Sequence, residues 1–596
     1  MPWITPGVDF LFGSLVVPTV LHYGIASVGL RVLADKGVGV PRVSSWAVFS
    51  LALLAVPAKF FFNAAYSYWE NEREAERRGA RLAPLLQGKI PGNLDELNRD
   101  GLRELIDELG PAFNVRFLFS DGIFTVEPEH VKLILSTDFN NYVKGERFQF
   151  AVSALLGSGV FNSDGEMWKF HRSMTRPFFS RERVTDLERF DRHTQNALTL
   201  LLQTAKTGYA VDFQDIMQRL SLDVATDLLF GACVNSLQVS TDDLALPFNH
   251  PNYIEGQSTR ENAFSKAFLD AQIIITERER NGWMWPLFEI FGDKSKAPMV
   301  AVSKFLDPII QEAIRKNAER TSIDGNKDVE EAETLLDNLV KSTSDHNVLR
   351  DQTLNILLAG RDTISAVLTF TTYLLSLHPE VTERLRQEII NRVGSSRSPT
   401  YDDVREMKYL RAVINESMRL LPPVSYFTEN LSLSPMDVRE CVNGAVWPSP
   451  DPTKKPIYIP PGASTPYGPI LIHTRKDLWG PDADEFDPDR FIDDRVRKYL
   501  VPNPFIFIPF NAGPRICLGQ QFAYNQVSFV LVRLLQQFSS FAMDEEAFHP
   551  SVRVPKEWAE VGKTSRKAKE RFRPKIVLTM ACDGGMWLKP RVVDTQ

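Results

Sequence analysis

The stretch "FNAGPRICLG", residues 510–519, decides how this sequence is interpreted, because it places Cys517 between glycines, an arginine and an apolar run. The chain has four cysteines that lie far apart, and none has the spacing of a zinc site. Such a set is typical of a reduced, intracellular protein. Cys517 therefore has to be explained by its neighbours, and the default alternative for a free cysteine is a small buried hydrophobic side chain.

The residues around Cys517 suit a sulfur that binds a metal. A thiolate is a strong, soft ligand for iron and needs a tightly folded loop whose backbone amides point at the sulfur. Gly513 and Gly519 permit a positive φ or a close backbone approach, and a helix starting after Cys517 would direct its N-terminal amides at the sulfur. Phe510 would cover the sulfur, and Arg515 is a natural partner for a buried carboxylate.

The spacing of phenylalanine, glycine, arginine, cysteine and glycine in this stretch resembles the haem-binding loop of the cytochromes P-450. A match at five fixed positions within ten residues is expected by chance in far fewer than about one chain in a thousand. The resemblance implies a mainly α-helical fold with small β-sheets, a haem b cofactor and Cys517 as the thiolate ligand of the haem iron. A structural thiol in a glycine-rich turn is the alternative.

A second motif follows in the family's order. In "ESMR", Glu416 and Arg419 stand one helical turn apart on the same face. Arg490 lies further along in "FDPDRF". By the resemblance these three form a buried triad with a structural task, since a buried ion pair needs full hydrogen bonding and a further cation. A surface ion pair is the alternative for "ESMR" alone.

The stretch "LLAGRDTISA", residues 357–366, resembles the oxygen-binding helix of the same family. Ala359 and Gly360 would open a local groove that admits dioxygen, and Asp362 with the Thr363 hydroxyl would pass protons to it. The alternative is an amphipathic helix in which the Thr363 hydroxyl bonds back to its own turn.

The haem propionates are expected to contact Arg515 together with Trp168 and Arg172, which stand at i and i+4 in "WKFHR". A stacked surface pair is the alternative. Two positions depart from the family's pattern. Glu429 stands about where the family usually has a basic residue, so its propionate contact is in doubt. His473 is followed by a threonine where the family commonly has arginine, and ordinary packing is its alternative.

Composition and periodicity support a helical catalytic domain. Hydrophobic residues make up 43% of the chain, enough for a large buried interior. Apolar residues recur with helical period in many segments, which are residues 186–205, 212–231, 264–279, 301–318, 351–377, 379–393, 402–421 and 517–538. Short β-like pieces such as "IYIP" and "KIVLTM" are few, and the polar or proline-rich residues 432–456 are typical of a surface loop.

Two apolar stretches near the N-terminus predict a membrane anchor. Residues 44–69 carry one charge, Lys59, over a length that crosses a bilayer. Residues 8–30 are a weaker candidate because they contain Asp9 and His22, and packed core or an interfacial helix is the alternative. The arginine-rich segment after residue 69 puts the rest of the chain in the cytoplasm by the positive-inside rule. We predict residues 1–69 as the anchor region and 70–596 as the catalytic domain.

The resemblance implies a microsomal monooxygenase of the endoplasmic reticulum, most similar to fungal hydroxylases of long-chain alkanes and fatty acids. It would insert one oxygen atom of O2 into a long-chain aliphatic or hydrophobic aromatic compound. In "GWMWPLFEIF", residues 282–291, the tryptophans would either dip into the membrane interface or belong to the core. A formal charge of −7 argues against nucleic acid as a partner.

The sequence shows neither a glycine-rich phosphate loop nor a flavin-like domain, so the electrons would come from another protein. The implied donor is NADPH-cytochrome P-450 reductase, a flavoprotein, with cytochrome b5 as a second candidate. Two alternatives stay open. One is a haem-thiolate peroxide isomerase that works without reductase and would not need Asp362 and Thr363. The other is a non-catalytic haem-binding protein.

Overall fold

The computed structural model describes residues 5–37, 43–86, 99–117, 119–179, 187–256, 262–323, 334–424, 437–559 and 567–593. The chain begins with one continuous helical rod, which comprises α1 (Pro6–Leu11), a π-helical stretch (Phe12–Val16) and α2 (Val17–Asp35). It is followed by α3 (Ser45–Arg77), whose first turn is capped by the Ser44 hydroxyl. Both helical rods are long and apolar enough to cross a membrane. Helix α3 runs past residue 69, so the expected domain boundary falls within a helix.

Helices make up most of the catalytic domain. In chain order they are α4 (Arg99–Leu109), α5 (Pro128–Lys132), α6 (Glu146–Leu156), α7 (Gly165–Thr175), α8 (Glu188–Ala205), α9 (Phe213–Phe230), α10 (Ala263–Arg280), α11 (Lys296–Ile323), α12 (Leu335–Leu339), α13 (His346–Leu377), α14 (Pro379–Val393), α15 (Tyr401–Glu406), α16 (Lys408–Leu420), α17 (Pro469–Ile472), α18 (Lys476–Trp479) and α19 (Gln520–Gln537).

The predicted helices are found, with one correction. Residues 402–421 form two helices, α15 and α16, because Met407 between them has an extended ψ of 90°. The break is stabilised by the Glu388 carboxylate, which accepts hydrogen bonds from the amides of Tyr409 (3.0 Å) and Leu410 (2.8 Å). These are amides at the start of α16 that have no partner within their own helix. The apolar period continues across the break, so it hides this boundary.

Among the described residues, the strands form five small sheets. They are β1 (Arg81–Leu82), β2 (Ala112–Asn114), β3 (Ile123–Thr125), β4 (Tyr142–Val143), β5 (Val211–Asp212), β6 (Glu440–Cys441), β7 (Ala445–Trp447), β8 (Ile457–Ile459), β9 (Phe538–Met543), β10 (Pro574–Ile576), β11 (Met580–Cys582) and β12 (Trp587–Val592). The sheet orders are β1-β8-β7, β5-β12-β9, β10-β11, β2-β3 and β4-β6. The stretch "IYIP" is β8, whereas "KIVLTM" is a hairpin of β10 and β11 because Ile576 pairs with Met580.

Helix α13 organises the core of the domain. It packs against α9, α16 and α19, and most of its residues are buried. The Asp345 carboxylate caps its first turn, and Pro379 begins the next helix directly after it. The loop of residues 510–519 precedes α19, so the packing of α19 against α13 brings that loop and the middle of α13 to one cavity.

Candidate functional site

The loop that carries Cys517 is folded tightly, as its glycines predict. The amide of Cys517 donates to the carbonyl of Phe510 at 3.0 Å, which closes the loop. Gly513 has a φ of +66°, and a Cβ placed on it would lie 1.8 Å from the carbonyl oxygen of Leu135. Asn511 also has a positive φ, and its side-chain oxygen accepts from the Tyr467 hydroxyl at 3.0 Å.

The two glycines of the loop differ. Gly519 has a φ of −87°, caps α19, and has no neighbour closer than 3.4 Å to a built Cβ. The expectation of a positive φ or a close backbone approach therefore holds for Gly513 and is wrong for Gly519. Gly519 has a negative φ because it is the N-cap of α19, where the backbone is already close to helical.

Changing Gly513 to alanine is expected to prevent the loop from closing. The left-handed backbone alone costs an L-residue about 1–2 kcal/mol, and the overlap with Leu135 adds to that. Purified Gly513→Ala protein should unfold at a lower temperature and carry less pigment than the parent. Gly519→Ala is the matched control and should retain both properties. Equal pigment content in the two variants would contradict this account of the loop.

The thiol of Cys517 opens into a cavity of about 250 Å³. Burial in this interior raises the pKa of the Cys517 thiol, while the Gly519 amide and the Arg172 guanidinium favour the thiolate and oppose that rise. A cation or metal at the sulfur would shift the balance further toward the thiolate. The cavity is not lined by the other cysteines, which are Cys233, Cys441 and Cys582.

The same cavity is lined by Ala359, Gly360 and Thr363 from α13. The Thr363 hydroxyl donates to the carbonyl of Ala359 at 2.6 Å. Helix α13 is continuous here, so the expected groove is not a break in the helix. A Cβ on Gly360 would have only Ala225 within 4 Å, at 3.9 Å, so the missing side chain adds free space to the cavity. Asp362 does not line the cavity.

Asp362 lies on another face of α13. Its carboxylate is 3.4 Å from Nη1 of Arg361, and burial raises the pKa of Asp362. Arg361 in turn stacks over Phe268 of α10 and donates to Ser265 of the same helix. The acid and the Thr363 hydroxyl are thus adjacent in sequence but face different neighbours.

Cationic side chains gather at one end of the cavity, as expected for Arg172 and Arg515. The guanidinium of Arg515 lies 4.7 Å from the centre of the Trp168 ring, and that of Arg172 lies 5.7 Å from it. Arg515 donates to the Asp164 carboxylate at 2.6 Å, and Arg172 donates to the carbonyl of Ile516 at 2.9 Å. Burial lowers the pKa of Arg515 to about 10.

Two further cations at this end were missed by sequence reasoning. Lys144 and Arg439 are buried and line the cavity together with the acid Asp437. The prediction of a surface loop over residues 432–456 is wrong for this part, since the amide of Thr465 donates to the carbonyl of Arg439 at 2.6 Å and fixes it inside the domain. Burial lowers the pKa of Lys144 and raises that of Asp437 to about 6.

A family model described as cytochrome P450 matches residues 87–567. The chain belongs to the cytochrome P450 family. Cytochrome P450 52-E3 of Starmerella bombicola is 33% identical to this cytochrome P450 over 523 residues, which are 85% of this chain and 93% of that one. Cytochrome P450 52E2 of Candida apicola is 36% identical over 82% of this chain and 90% of its own.

A third relative is named as an enzyme. Cytochrome P450 monooxygenase himC of Aspergillus japonicus is 33% identical over 75% of this chain and 74% of its own. These matches confirm the recognition of the family, the mainly helical fold and the enzyme class that the sequence predicts. A cytochrome P450 contains haem whose iron is held by a cysteine thiolate.

The cavity of this cytochrome P450 fits such a haem. Four cations, Lys144, Arg172, Arg439 and Arg515, line one end, which suits two propionates. The Nε of Arg515 is buried and has no hydrogen-bond acceptor among the described residues. A buried donor of this kind is costly unless an acceptor reaches it, and a haem carboxylate is such an acceptor.

The predicted triad of this cytochrome P450 is assembled in the core. Arg419 donates to both carboxylate oxygens of Glu416, at 2.6 and 2.7 Å, and Nε of Arg490 lies 3.5 Å from the same carboxylate. All three side chains are almost completely buried. Arg419 also donates to the carbonyl oxygens of His473 and Ala483, and Arg490 donates to the Asp482 carboxylate at 2.9 Å. The triad thus joins α16 to the segments that precede the cysteine loop.

The two departures from the family pattern have different outcomes. Glu429 lies outside the described residues. His473 is fully buried but does not line the cavity, and its Nε2 accepts from the amide of Ile508 at 3.0 Å. Burial and the nearby Arg419 lower the pKa of His473 to about 3, so the ring is neutral. The structure therefore agrees with the packing alternative for His473.

Proposed function

We propose that this cytochrome P450 is a membrane-bound monooxygenase that inserts one atom of O2 into an apolar substrate, by hydroxylation of a long-chain aliphatic or hydrophobic aromatic compound. Electrons come from an NADPH-dependent flavoprotein reductase, with cytochrome b5 as a second donor. The enzyme resides in the endoplasmic reticulum membrane with its catalytic domain in the cytoplasm. The observation that carries the proposal is one cavity that holds Cys517, Thr363 and a cluster of cations.

Each part of the cavity has its own task. Cys517 would hold the haem by its sulfur, and Phe510, whose ring packs on Tyr524 at 5.1 Å, would cover the thiolate. Arg172, Arg515 and the Trp168 ring hold the propionate end. When bound, the haem supplies the activation of dioxygen.

The substrate side of the cavity is apolar. Its walls come from α9, α13 and neighbouring segments, and include Phe161, Leu228, Leu229, Ile356 and Val367. Such walls bind a hydrocarbon by burial of apolar area and exclude water from the reacting end. Carboxylates other than Asp437 are missing from the lining among the described residues, which disfavours cationic substrates.

Thr363 is the residue whose change separates a monooxygenase from a peroxide isomerase. Among the side chains of α13 that line the cavity, Thr363 is the one that can form hydrogen bonds. Its Oγ1 carries a proton. We expect Thr363→Ala to lower the product formed per NADPH consumed by roughly 10²-fold, the low end of the contribution of a positioned proton donor. NADPH consumption should continue. Thr363→Ser keeps the hydroxyl and should retain most of the coupling.

The outcomes of that measurement differ between the alternatives. Product yield and NADPH consumption are measured together on the reconstituted protein with reductase. A peroxide isomerase would convert a hydroperoxide without NADPH and would be almost unchanged by Thr363→Ala.

The function itself is tested by turnover with a substrate panel. Purified protein, reductase and NADPH are incubated with long-chain fatty acids, alkanes, steroids and polycyclic aromatics, and oxygenated products are identified by mass spectrometry. We expect hydroxylation of at least one aliphatic chain. Oxidation of aromatic substrates alone would reject the aliphatic assignment, and NADPH-dependent product from none of the panel would favour a non-catalytic haem protein.

A further inference from the structure

The N-terminal end of the anchor touches the catalytic domain. The Thr5 hydroxyl donates to the carbonyl of Ile290 at 2.6 Å. Gly7 is buried, and a Cβ placed on it would lie 2.5 Å from the carbonyl oxygen of Pro286 and 2.6 Å from Cα of Ile290. The ring of Phe10 lies 6.1 Å from that of Trp283. The start of α1 is thus fitted to the segment of residues 282–291.

The tryptophans of that segment do not extend outward. Trp285 is buried, with the Arg278 guanidinium 4.3 Å above its ring, whereas Trp283 packs against the anchor. The side chains that the segment exposes are Phe288 and Phe291. The segment packs against α10 and α6 of the catalytic domain.

The second membrane helix reaches the same place from the opposite direction. Phe60 of α3 lies 5.7 Å from Trp283 and 5.4 Å from Phe119 of the catalytic domain. Further along, Tyr23 of α2 lies 6.2 Å from Phe49 of α3. Residue numbers therefore rise along one helix as they fall along the other, and the two helices are antiparallel neighbours.

The apolar length of this helix pair, measured between its charged residues, matches the thickness of a bilayer. Asp9 and Lys59 each precede one of the two rings, Phe10 and Phe60, that contact Trp283, so both charges lie at the catalytic-domain end. From Asp9 to Arg31 the helix rises roughly 33 Å at 1.5 Å per residue. The hydrocarbon core of a bilayer is about 30 Å thick. Apolar side chains between these limits are largely exposed, as in a helix that faces lipid.

We propose that residues 6–77 form a two-span hairpin whose N-terminal end returns to the side of the catalytic domain and docks on residues 282–291. The end of α2 and the start of α3 then lie on the opposite side of the membrane. A single span would place the N-terminus on that opposite side, about a bilayer thickness away from Ile290, and would break the contacts of Thr5, Gly7 and Phe10.

The charges of the chain agree with this orientation. Residues 31–42 contain three basic side chains, and residues 70–81, a stretch of equal length after the second span, contain four. The inference rests on the membrane location proposed above but not on the chemistry of the cavity. Extraction of microsomes with alkaline carbonate tests the location separately, since an integral protein stays in the pellet.

Glycosylation mapping tests the hairpin in the full-length protein. An Asn-Gly-Thr acceptor flanked by glycine and serine is inserted either between Gly37 and Val38 or before Met1. The parent without an insertion is the control, because the chain already has natural sequons at Asn415 and Asn430. Modification is read as an endoglycosidase-sensitive shift on a gel. We expect the inserted loop to be modified and the N-terminal extension to stay unmodified. A modified extension, or an unmodified loop, would overturn the hairpin.

The docking contact has a matched pair of variants on the same helical rod. The Cβ of Gly7→Leu would overlap Pro286 and Ile290, whereas the Cβ of Gly13→Leu would have no atom within 4 Å. In lipid nanodiscs, Gly7→Leu should increase amide hydrogen exchange in residues 282–291, and Gly13→Leu should leave it at the parent rate. Unchanged exchange in Gly7→Leu would contradict the docking, even if the mapping gave two spans.

Discussion

Replacing Cys517 with serine is expected to abolish the red-shifted Soret band of the reduced, carbon-monoxide-bound protein together with all monooxygenase turnover. The sulfur of Cys517 is the cysteine sulfur that lines the cavity among the described residues. A serine hydroxyl has nearly the same shape but is a hard, weakly acidic oxygen, so it does not replace a thiolate as a strong donor to iron. The substitution therefore changes the ligand and leaves the loop intact.

The loop should indeed survive this change. Its closure depends on the amide of residue 517, which donates to Phe510, and on the backbone of Gly513, and neither involves the sulfur. Cys517→Ser protein should consequently fold, and circular dichroism at equal concentration compares it with the parent. A loss of pigment without a loss of secondary structure is the specific result.

The matched control for this experiment is Cys233→Ser. Cys233 is half-buried and lies outside the cavity, where its Sγ accepts from the amide of Asn235 at 3.3 Å. A serine oxygen can accept the same hydrogen bond, so the optical spectrum and turnover should match those of the parent. An unaltered Soret band in Cys517→Ser would refute thiolate ligation at this position and with it the proposed function.

Local sequence was sufficient where a single backbone or side-chain property decides the structure. Gly513 was predicted to have a positive φ or a close backbone approach, and the Leu135 carbonyl occupies the space of its missing Cβ. The partnership of Glu416 with Arg419 follows from helical spacing alone, because residues three apart share a face. Both features depend on a few neighbouring residues.

Features that depend on long-range packing could not be predicted. Arg439 lies in a stretch that resembles a surface loop, and only its pairing with the strand-like segment around Thr465 carries it into the cavity. Lys144 precedes α6 without any motif around it. Asp362 was assigned to the proton path by the family resemblance, which does not say where its side chain faces. Consecutive helical residues point in directions about 100° apart, and Asp362 lies outside the cavity that Thr363 lines. The direction in which it faces is set by α10.

The second large effect is expected at Glu416. Its carboxylate is fully buried between Arg419 and Arg490, and Glu416→Ala would leave the buried Arg419 guanidinium without its counter-charge, whereas Arg490 would keep the Asp482 carboxylate at 2.9 Å. Removing one partner of a buried ion pair costs about 3–5 kcal/mol, a large share of the stability of an ordinary domain. The unfolding temperature should fall sharply, and haem should be lost at that lower temperature because α16 no longer holds the segments before the cysteine loop.

A surface pair of identical spacing isolates burial as the cause. Glu312 and Arg315 of α11 also form an i,i+3 ion pair, at 2.6 Å, but both are exposed to solvent, where such pairs contribute little. Glu312→Ala should therefore unfold at the temperature of the parent. Glu416→Gln provides a milder variant if Glu416→Ala fails to accumulate, because the amide oxygen still accepts from one arginine. The thermal melts of Glu416→Ala, Glu416→Gln and Glu312→Ala are monitored by Soret absorbance. If Glu416→Gln unfolded at the temperature of the parent, the structural role of the triad would be refuted.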